Sequence, residues 1–229
     1  SHVAIADVAY YVRPGSALDR DALQRGNSVY FPDRVVPMLP ERISNNLCSL
    51  VPGEPRGALA VRMVIGADGR KRSHTFHRVL MRSAAKLAYA QAQAAIDGRP
   101  DDTTGPLLEP ILKPLWAAYE LVKLARNERD PLDLDLPERK ILLKPDGTVD
   151  RVIVPQRLDA HRLIEEFMIL ANAAAAEMLE KKALPLIGPD VSGGSYCPHD
   201  GHVNSLRTFR AFHTGFKAFG DRKSTRLNS

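Results

Sequence analysis

Residues Asn27–Leu50 read NSVYFPDRVVPMLPERISNNLCSL. Pro32, Pro37 and Pro40 each remove a backbone donor and fix φ, which rules out one continuous helix. Val29, Phe31, Val35, Val36, Met38 and Leu39 favour burial, which argues against a plain linker. The stretch is therefore expected to be an ordered, extended segment laid over a core. Such irregular but ordered segments often carry binding residues on a rigid scaffold. Tyr30 is the candidate, an aromatic between apolar neighbours and close to a proline. Two readings stay open for it: the buried tyrosine of a core-covering loop, or a side chain presented to a ligand.

On the amino-terminal side, Val3–Val12 is apolar and β-rich and predicts a strand with Asp7 embedded in it. A carboxylate there needs partners, because burying it unpaired costs several kcal/mol. Arg13-Pro14-Gly15-Ser16 reads as a turn, with Ser16 or Asp19 capping a helix that runs to about Arg25 and ends at Gly26. Beyond the loop Val51–Pro55, Ala58–Ile65 and Thr75–Met81 read as strands joined across Ala67-Asp68-Gly69. His74 and His77 mimic a metal pair but lack Cys or carboxylate company. Lys71, Arg72, Arg78, Arg82 and Lys86 form either a phosphate-facing stripe or a solvated face.

Ser83 is expected to open an Ala/Gln-rich helix closed by Gly98, with Tyr89 inside it. Asp101-Asp102, in a Gly/Pro/Thr-rich loop, reads as solvated surface. Leu107–Arg129 predicts an amphipathic helix burying Leu108, Leu112, Leu115, Tyr119 and Val122, its first turns disturbed by Pro110 and Pro114. Trp116 reads as packing rather than as a base-stacking platform. Ile141–Leu143 and Val149–Val154, around Lys144-Pro145-Asp146-Gly147, predict a second hairpin. Asp159–Lys182 predicts a long helix with Leu163, Phe167, Leu170, Ala174 and Met178 on its apolar face, extended by Ile164, Met168, Ala171 and Ala175. Glu165 and Glu166 lie in its first turns, where carboxylates favour the helix dipole. Together the elements describe an α+β fold, a mixed or antiparallel sheet with packed helices.

The 229 residues can bury one sizeable core, and 44% hydrophobic with 26% charged residues suits a globular chain. A net charge of +5 makes a polyanionic partner plausible. No apolar run is long enough for a membrane span, and no signal peptide is recognised. Two cysteines, Cys48 and Cys197, suit a reducing, cytoplasmic setting. The last nine residues, DRKSTRLNS, read like a translated sequencing adaptor, with Ser1-His2 as its continuation. Without those nine residues the net charge falls to +3, so the tail is no argument for a nucleic-acid partner. Residues 1–2 and 221–229 are expected to pack on nothing.

The segment VYFPDRVVPMLPERISNNLCSL resembles the most recognisable stretch of the RNB catalytic domain of the ribonuclease II/ribonuclease R family. VAIADVAYYVRPGSALDRDALQRG before it, and MRSAAKLAYAQAQAAIDG and HRLIEEFMILANAAAAEMLEKKALPLI after it, occur in the family's order. The resemblance covers most of residues 3–187 and is closer to the ribonuclease R branch. It implies a processive, Mg²⁺-dependent 3′–5′ exonuclease that releases 5′-mononucleotides from single-stranded RNA, working as a cytoplasmic monomer. It places Asp7 beside the metal site, Tyr30 against a base, Tyr89 near the active centre, and Glu165 or Glu166 on the 3′-terminal nucleotide.

The aspartate cluster that holds the family's metal is expected just upstream of the IADV strand, and an arginine the reaction needs well downstream. No residue of this chain is therefore assigned as a metal ligand. The flanking oligonucleotide-binding barrels are likewise expected elsewhere. The chain reads as an interior fragment, inactive alone. Beyond Ile187 the resemblance breaks, and residues 188–220 read as a degraded or frameshifted continuation, partly restored around His199-Asp200 and Ser205–Phe209. Cys197, His199 and His202 resemble a zinc half-site without a fourth ligand. A non-catalytic single-stranded RNA-binding module and a fragment without function are the alternatives.

Overall fold

The computed structural model describes residues 1–128 and 139–182. They fall into two units: Ser1–Ala6, Tyr30–Val35 and the described residues of Leu50–Ala171 form the first, and Asp7–Val29, Val36–Ser49 and residues 172–182 the second. Residues 188–220 and the tail 221–229, with the zinc half-site, lie outside the described residues.

The first unit is built on an antiparallel sheet of β1 (His2–Ala6), β4 (Pro55–Ile65) and β5 (Lys71–Arg82), in the order β1-β4-β5. In the central strand β4, Val61 faces Val3 on one side and Phe76 on the other. Ala58, Val61 and Met63 of this strand are buried. The turn after β4 demands glycine at position 69. Gly69 has φ +72°, and a Cβ there would stand 1.9 Å from the Leu121 carbonyl oxygen. Ser1 and His2, expected to pack on nothing, instead extend the sheet: the Ser1 amino group donates to Met63 O at 3.0 Å, and Met63 N–H donates to Ser1 O at 2.9 Å. Backbone pairing needs no particular side chain, so their polar character did not exclude them.

β2 (Val29–Tyr30) and β3 (Val35–Val36) make a short ribbon closed by Phe31 N–H donating to Arg34 O at 2.8 Å. The burial expected for this stretch is corrected here. Val29, Phe31, Val35 and Val36 are exposed, Met38 is half-buried, and Leu39 alone of the six is buried. Two residues per strand leave a ribbon too small to cover its own faces. Arg34 instead lies over the Phe31 ring, 5.4 Å from its centroid.

α3 (Tyr89–Ile96) begins later than the expected Ser83. Ser83 stays with the sheet, bridged to Pro52 and accepting from Gly53 N–H at 2.8 Å. Gln91 then secures the helix start by accepting from Ala88 N–H at 3.3 Å. The expected helix from Leu107 is also divided: α4 (Gly105–Leu107), a wide turn over Leu108–Leu112, and α5 (Lys113–Asn127) with Pro114 in its first turn. α5 buries Tyr119, Val122 and Ala125, while Trp116 is half-buried. Burial pushes the Tyr119 hydroxyl up to about 12, helped by Asp159.

Asp101, read from sequence as plain solvated surface, is exposed but organises its loop. Its carboxylate accepts from Thr103 N–H at 3.0 Å, Thr104 N–H at 2.8 Å, Thr104 Oγ1 at 2.8 Å and Gln91 Nε2 at 2.7 Å. β6 (Lys140–Leu143) and β7 (Val149–Ile153) form the second hairpin, turned through Gly147 at φ +83°. α6 (Asp159–Lys181) buries Ala160, Leu163, Phe167 and Ala171 within this unit. Ile164 and Met168, expected on its apolar face, are exposed instead. They trail the buried row by one position, which turns them about 100° around the axis.

In the second unit, the strand expected over Val3–Val12 has already ended at Ala6, and Val8–Tyr11 forms the short helix α1. α2 (Ala17–Arg25) matches expectation: Ser16 Oγ accepts from Asp19 N–H at 3.2 Å, and Gly26 at φ +77° closes it. Asp19 is buried and accepts in return from Gly15 N–H at 2.9 Å. A wide turn over Arg42–Leu47 follows Pro40, with Cys48 N–H donating to Ile43 O at 2.8 Å. Among the described residues of this unit, Ala22, Leu39, Ala174, Ala175 and Leu179 are the buried apolar ones.

Candidate functional site

Asp7 is not embedded in a strand. It is half-buried at the junction of β1 and α1, where its backbone carbonyl accepts from Tyr10 N–H at 3.1 Å. Its charge, after burial, helps to push the Cys48 thiol up to about 11, so this free cysteine is held protonated and unreactive at neutral pH.

Tyr30, at the end of β2, is 75% exposed. The buried-tyrosine reading fails: the ring is presented to solvent beside the half-exposed Phe31. Nothing in the ribbon needs Tyr30 for packing, which leaves a large aromatic face free to stack.

The first unit brings Tyr89 and the two glutamates onto neighbouring helices. Tyr89, first residue of α3 and 46% exposed, stacks on His161 of α6 with ring centroids 4.2 Å apart and planes at 29°. His161 Nδ1 accepts from Leu158 N–H at 3.1 Å, which orients the imidazole. Gln93, one turn along α3, accepts at Oε1 from Ala160 N–H at 3.0 Å and so ties the start of α6 to α3. Tyr89 therefore packs against the neighbouring helix α6.

Glu165 and Glu166 are adjacent in sequence and opposite in environment. Glu166 sits on the buried face, its side chain 4% exposed, and accepts from Arg126 Nη1 at 2.8 Å. Glu165 is 46% exposed and accepts from Arg157 Nη2 at 2.5 Å. A carboxylate at Glu165 can exchange an arginine partner for a hydroxyl donor with little desolvation, while one at Glu166 cannot. Beside Arg157 lies an open polar cleft of about 480 Å³ between α3 and the first turn of α6, lined among others by Gln93, Asp97, Arg99, Gln156 and Arg162.

Of the β5 cations, Arg78 and Arg82 share one face by strand alternation, while the register shift opposite Val64/Ile65 interrupts that alternation at Lys71 and Arg72. The same alternation sends His74 and His77 to opposite faces, bonded to Lys71 Nζ at 3.1 Å and Thr75 Oγ1 at 3.1 Å. Among the described residues, no three His, Cys, Asp or Glu side chains converge as a metal would require. Mg²⁺, with its near-octahedral oxygen ligation, finds no fitting ligand set among these residues.

Arg126, Arg157, His161 and Gln93 carry the local geometry without having been singled out from the sequence. For Arg126 a signal existed: it follows Tyr119 and Val122 at helical spacing, a cation on the buried stripe. Glu166 repeats that signal between Leu163 and Phe167. Arg157 and His161 precede or open the helix and have no periodic signature.

Known proteins agree with this architecture. A family model described as RNB domain matches residues 2–189. Ribonuclease R of Vibrio parahaemolyticus is 42% identical over 188 residues, covering 81% of this chain and 22% of that protein. The apo form of Mycoplasma genitalium RNase R superposes with a TM-score of 0.75 at 28% identity, over 80% of this chain and 29% of that one. A complex of Mycoplasma genitalium RNase R with ribose-methylated single-stranded RNA also reaches 0.75, at 23% identity over 91% of this chain and 36% of that one, a likeness of fold. The chain spans about a quarter of the length of the curated relatives it matches. An α+β arrangement of antiparallel strands and packed helices, matched in sequence from residue 2 to residue 189, places the chain in the RNB domain family.

Proposed function

We propose that the chain is an interior part of the catalytic domain of a 3′–5′ exoribonuclease of the ribonuclease R type, and that its described residues grip single-stranded RNA. The observation that carries this reading is the RNB match over residues 2–189. The geometry supports the division of labour. Tyr30 offers an exposed ring for a base, a contact worth roughly 1–3 kcal/mol. Tyr89 and the accessible Glu165 would hold the 3′-terminal nucleotide, with Glu166 given to the fold. Arg78 and Arg82 face one way and suit phosphates. Asp7 would stand beside a metal site whose ligands come from elsewhere in the longer protein.

The longer protein is expected to be a Mg²⁺-dependent, monomeric, cytoplasmic hydrolase that shortens single-stranded RNA stepwise to 5′-mononucleotides. The present chain is expected to bind without cleaving. A second reading, a non-catalytic RNA-binding module, draws on the lack of a converging ligand set among the described residues.

The test is binding of a 5′-labelled single-stranded RNA by the purified chain across a salt titration. Affinity should fall linearly on a log–log plot as counterions are released. No binding at about 50 mM salt, or binding indifferent to salt, would refute the reading. Joined to the upstream and downstream segments of its own longer protein, the chain should shorten RNA from the 3′ end. Binding without any such shortening would favour the module.

A further inference from the structure

Resting on the reading above, the geometry points to Arg157 and His161 as positioning residues for the grip on the 3′-terminal nucleotide. Arg157 lies just before α6 and His161 in its first turn, and each holds one proposed RNA contact. Arg157 Nη2 donates to Glu165 Oε2 at 2.5 Å, with side chains 32% and 46% exposed, so the pair is reachable from solvent yet geometrically defined. His161 stacks on Tyr89 at 4.2 Å.

The segment is itself anchored twice. Leu158 N–H donates to His161 Nδ1 at 3.1 Å, leaving that nitrogen an acceptor and fixing the ring plane. Ala160 N–H donates to Gln93 Oε1 at 3.0 Å, locking the same turn to the helix that begins with Tyr89. An aromatic and a carboxylate that meet one nucleotide must keep their separation before it arrives, or binding must first order them. The brace supplies that order. Neither Arg157 nor His161 need touch the RNA.

The experiment compares two 5′-labelled single-stranded RNAs, one intact and one ending in an abasic 2′,3′-dideoxyribose that lacks both the base and the terminal hydroxyls, against the full chain and its variants. The readout is the ratio of their affinities. Arg157→Gln and His161→Ala should each cut the preference for the intact end by roughly fivefold or more, the lower end of what a stacked base contributes. Affinity for the abasic RNA should stay unchanged, which a general loss of structure would not allow. His161→Phe, which restores a ring for Tyr89, should recover the preference. Should Arg157→Gln fail to fold, Arg157→Lys serves, since it keeps the charge and drops the planar fork. An unchanged ratio in the Arg157 and His161 variants, while Tyr89→Ala and Glu165→Gln reduce it, would overturn the positioning role and leave the grip standing. No preference in the wild type would overturn both.

Discussion

Arg126 Nη1 donates to Glu166 Oε1 at 2.8 Å across 40 residues of sequence, joining α5 to α6 beneath the accessible Glu165. The glutamate side chain is 4% exposed and the arginine 22%, so both charges are largely withdrawn from water. Removing one member of such a pair leaves a buried charge without its counter-ion. Arg126→Met should therefore destabilise the chain by about 3–5 kcal/mol in urea denaturation. Arg157→Gln, at an exposed pair, should cost about 1 kcal/mol or less. Equal effects from the two substitutions would contradict the division of Glu165 and Glu166 into contact and structural residues.

Tyr30→Ala should separate binding from folding. The side chain is 75% exposed, so stability should stay within about 0.5 kcal/mol. Affinity for single-stranded RNA should fall by roughly 1–3 kcal/mol. A large drop in melting temperature would show that the ring packs.

Gly69→Ala meets two penalties at once, a positive φ and a backbone oxygen 1.9 Å from the added carbon. The turn cannot relax toward an oxygen that belongs to a helix. The substitution should destabilise by about 1–3 kcal/mol, read by thermal unfolding. A neutral result would mean that the turn does not dock on α5 as described.

Asp101 gives a pH signature. Its carboxyl is lowered from 3.8 to about 2, first by the Thr104 backbone N–H and then by Gln91 and the Thr104 hydroxyl. A lowered folded-state value favours the ionised form, so the stabilisation is present above about 3.8 and lost as pH falls toward about 2. Asp101→Asn should flatten the acid limb of the melting temperature in that window and leave its shape at neutral pH unchanged. An identical acid limb in wild type and variant would contradict the assignment.

Much of this fold is legible where local chemistry decides it. Ser16, Asp19 and Gly26 announce both ends of α2, and Asp68-Gly69 and Asp146-Gly147 announce the two hairpin turns. What was not legible depends on partners distant in sequence. The exposure of Val29, Phe31, Val35 and Val36 follows from the size of the ribbon, which composition does not carry. Asp7 moved from strand to junction because a β-rich run does not say where its pairing partner ends. Tyr30 stands out in its own local sequence, and Tyr89 and Glu165 come into view through the family resemblance, whereas Arg157 and His161 emerge only when α3 and α6 are brought together.

The central claim, a chain that holds single-stranded RNA without cutting it, is tested most directly on one native gel followed by a denaturing one. A 5′-labelled single-stranded RNA is incubated with the purified chain and Mg²⁺ at low salt, with an EDTA control. The expected result is a shifted band that yields full-length RNA in both lanes. A ladder shortening from the 3′ end, present with Mg²⁺ and absent with EDTA, or no shift at all, would contradict the account.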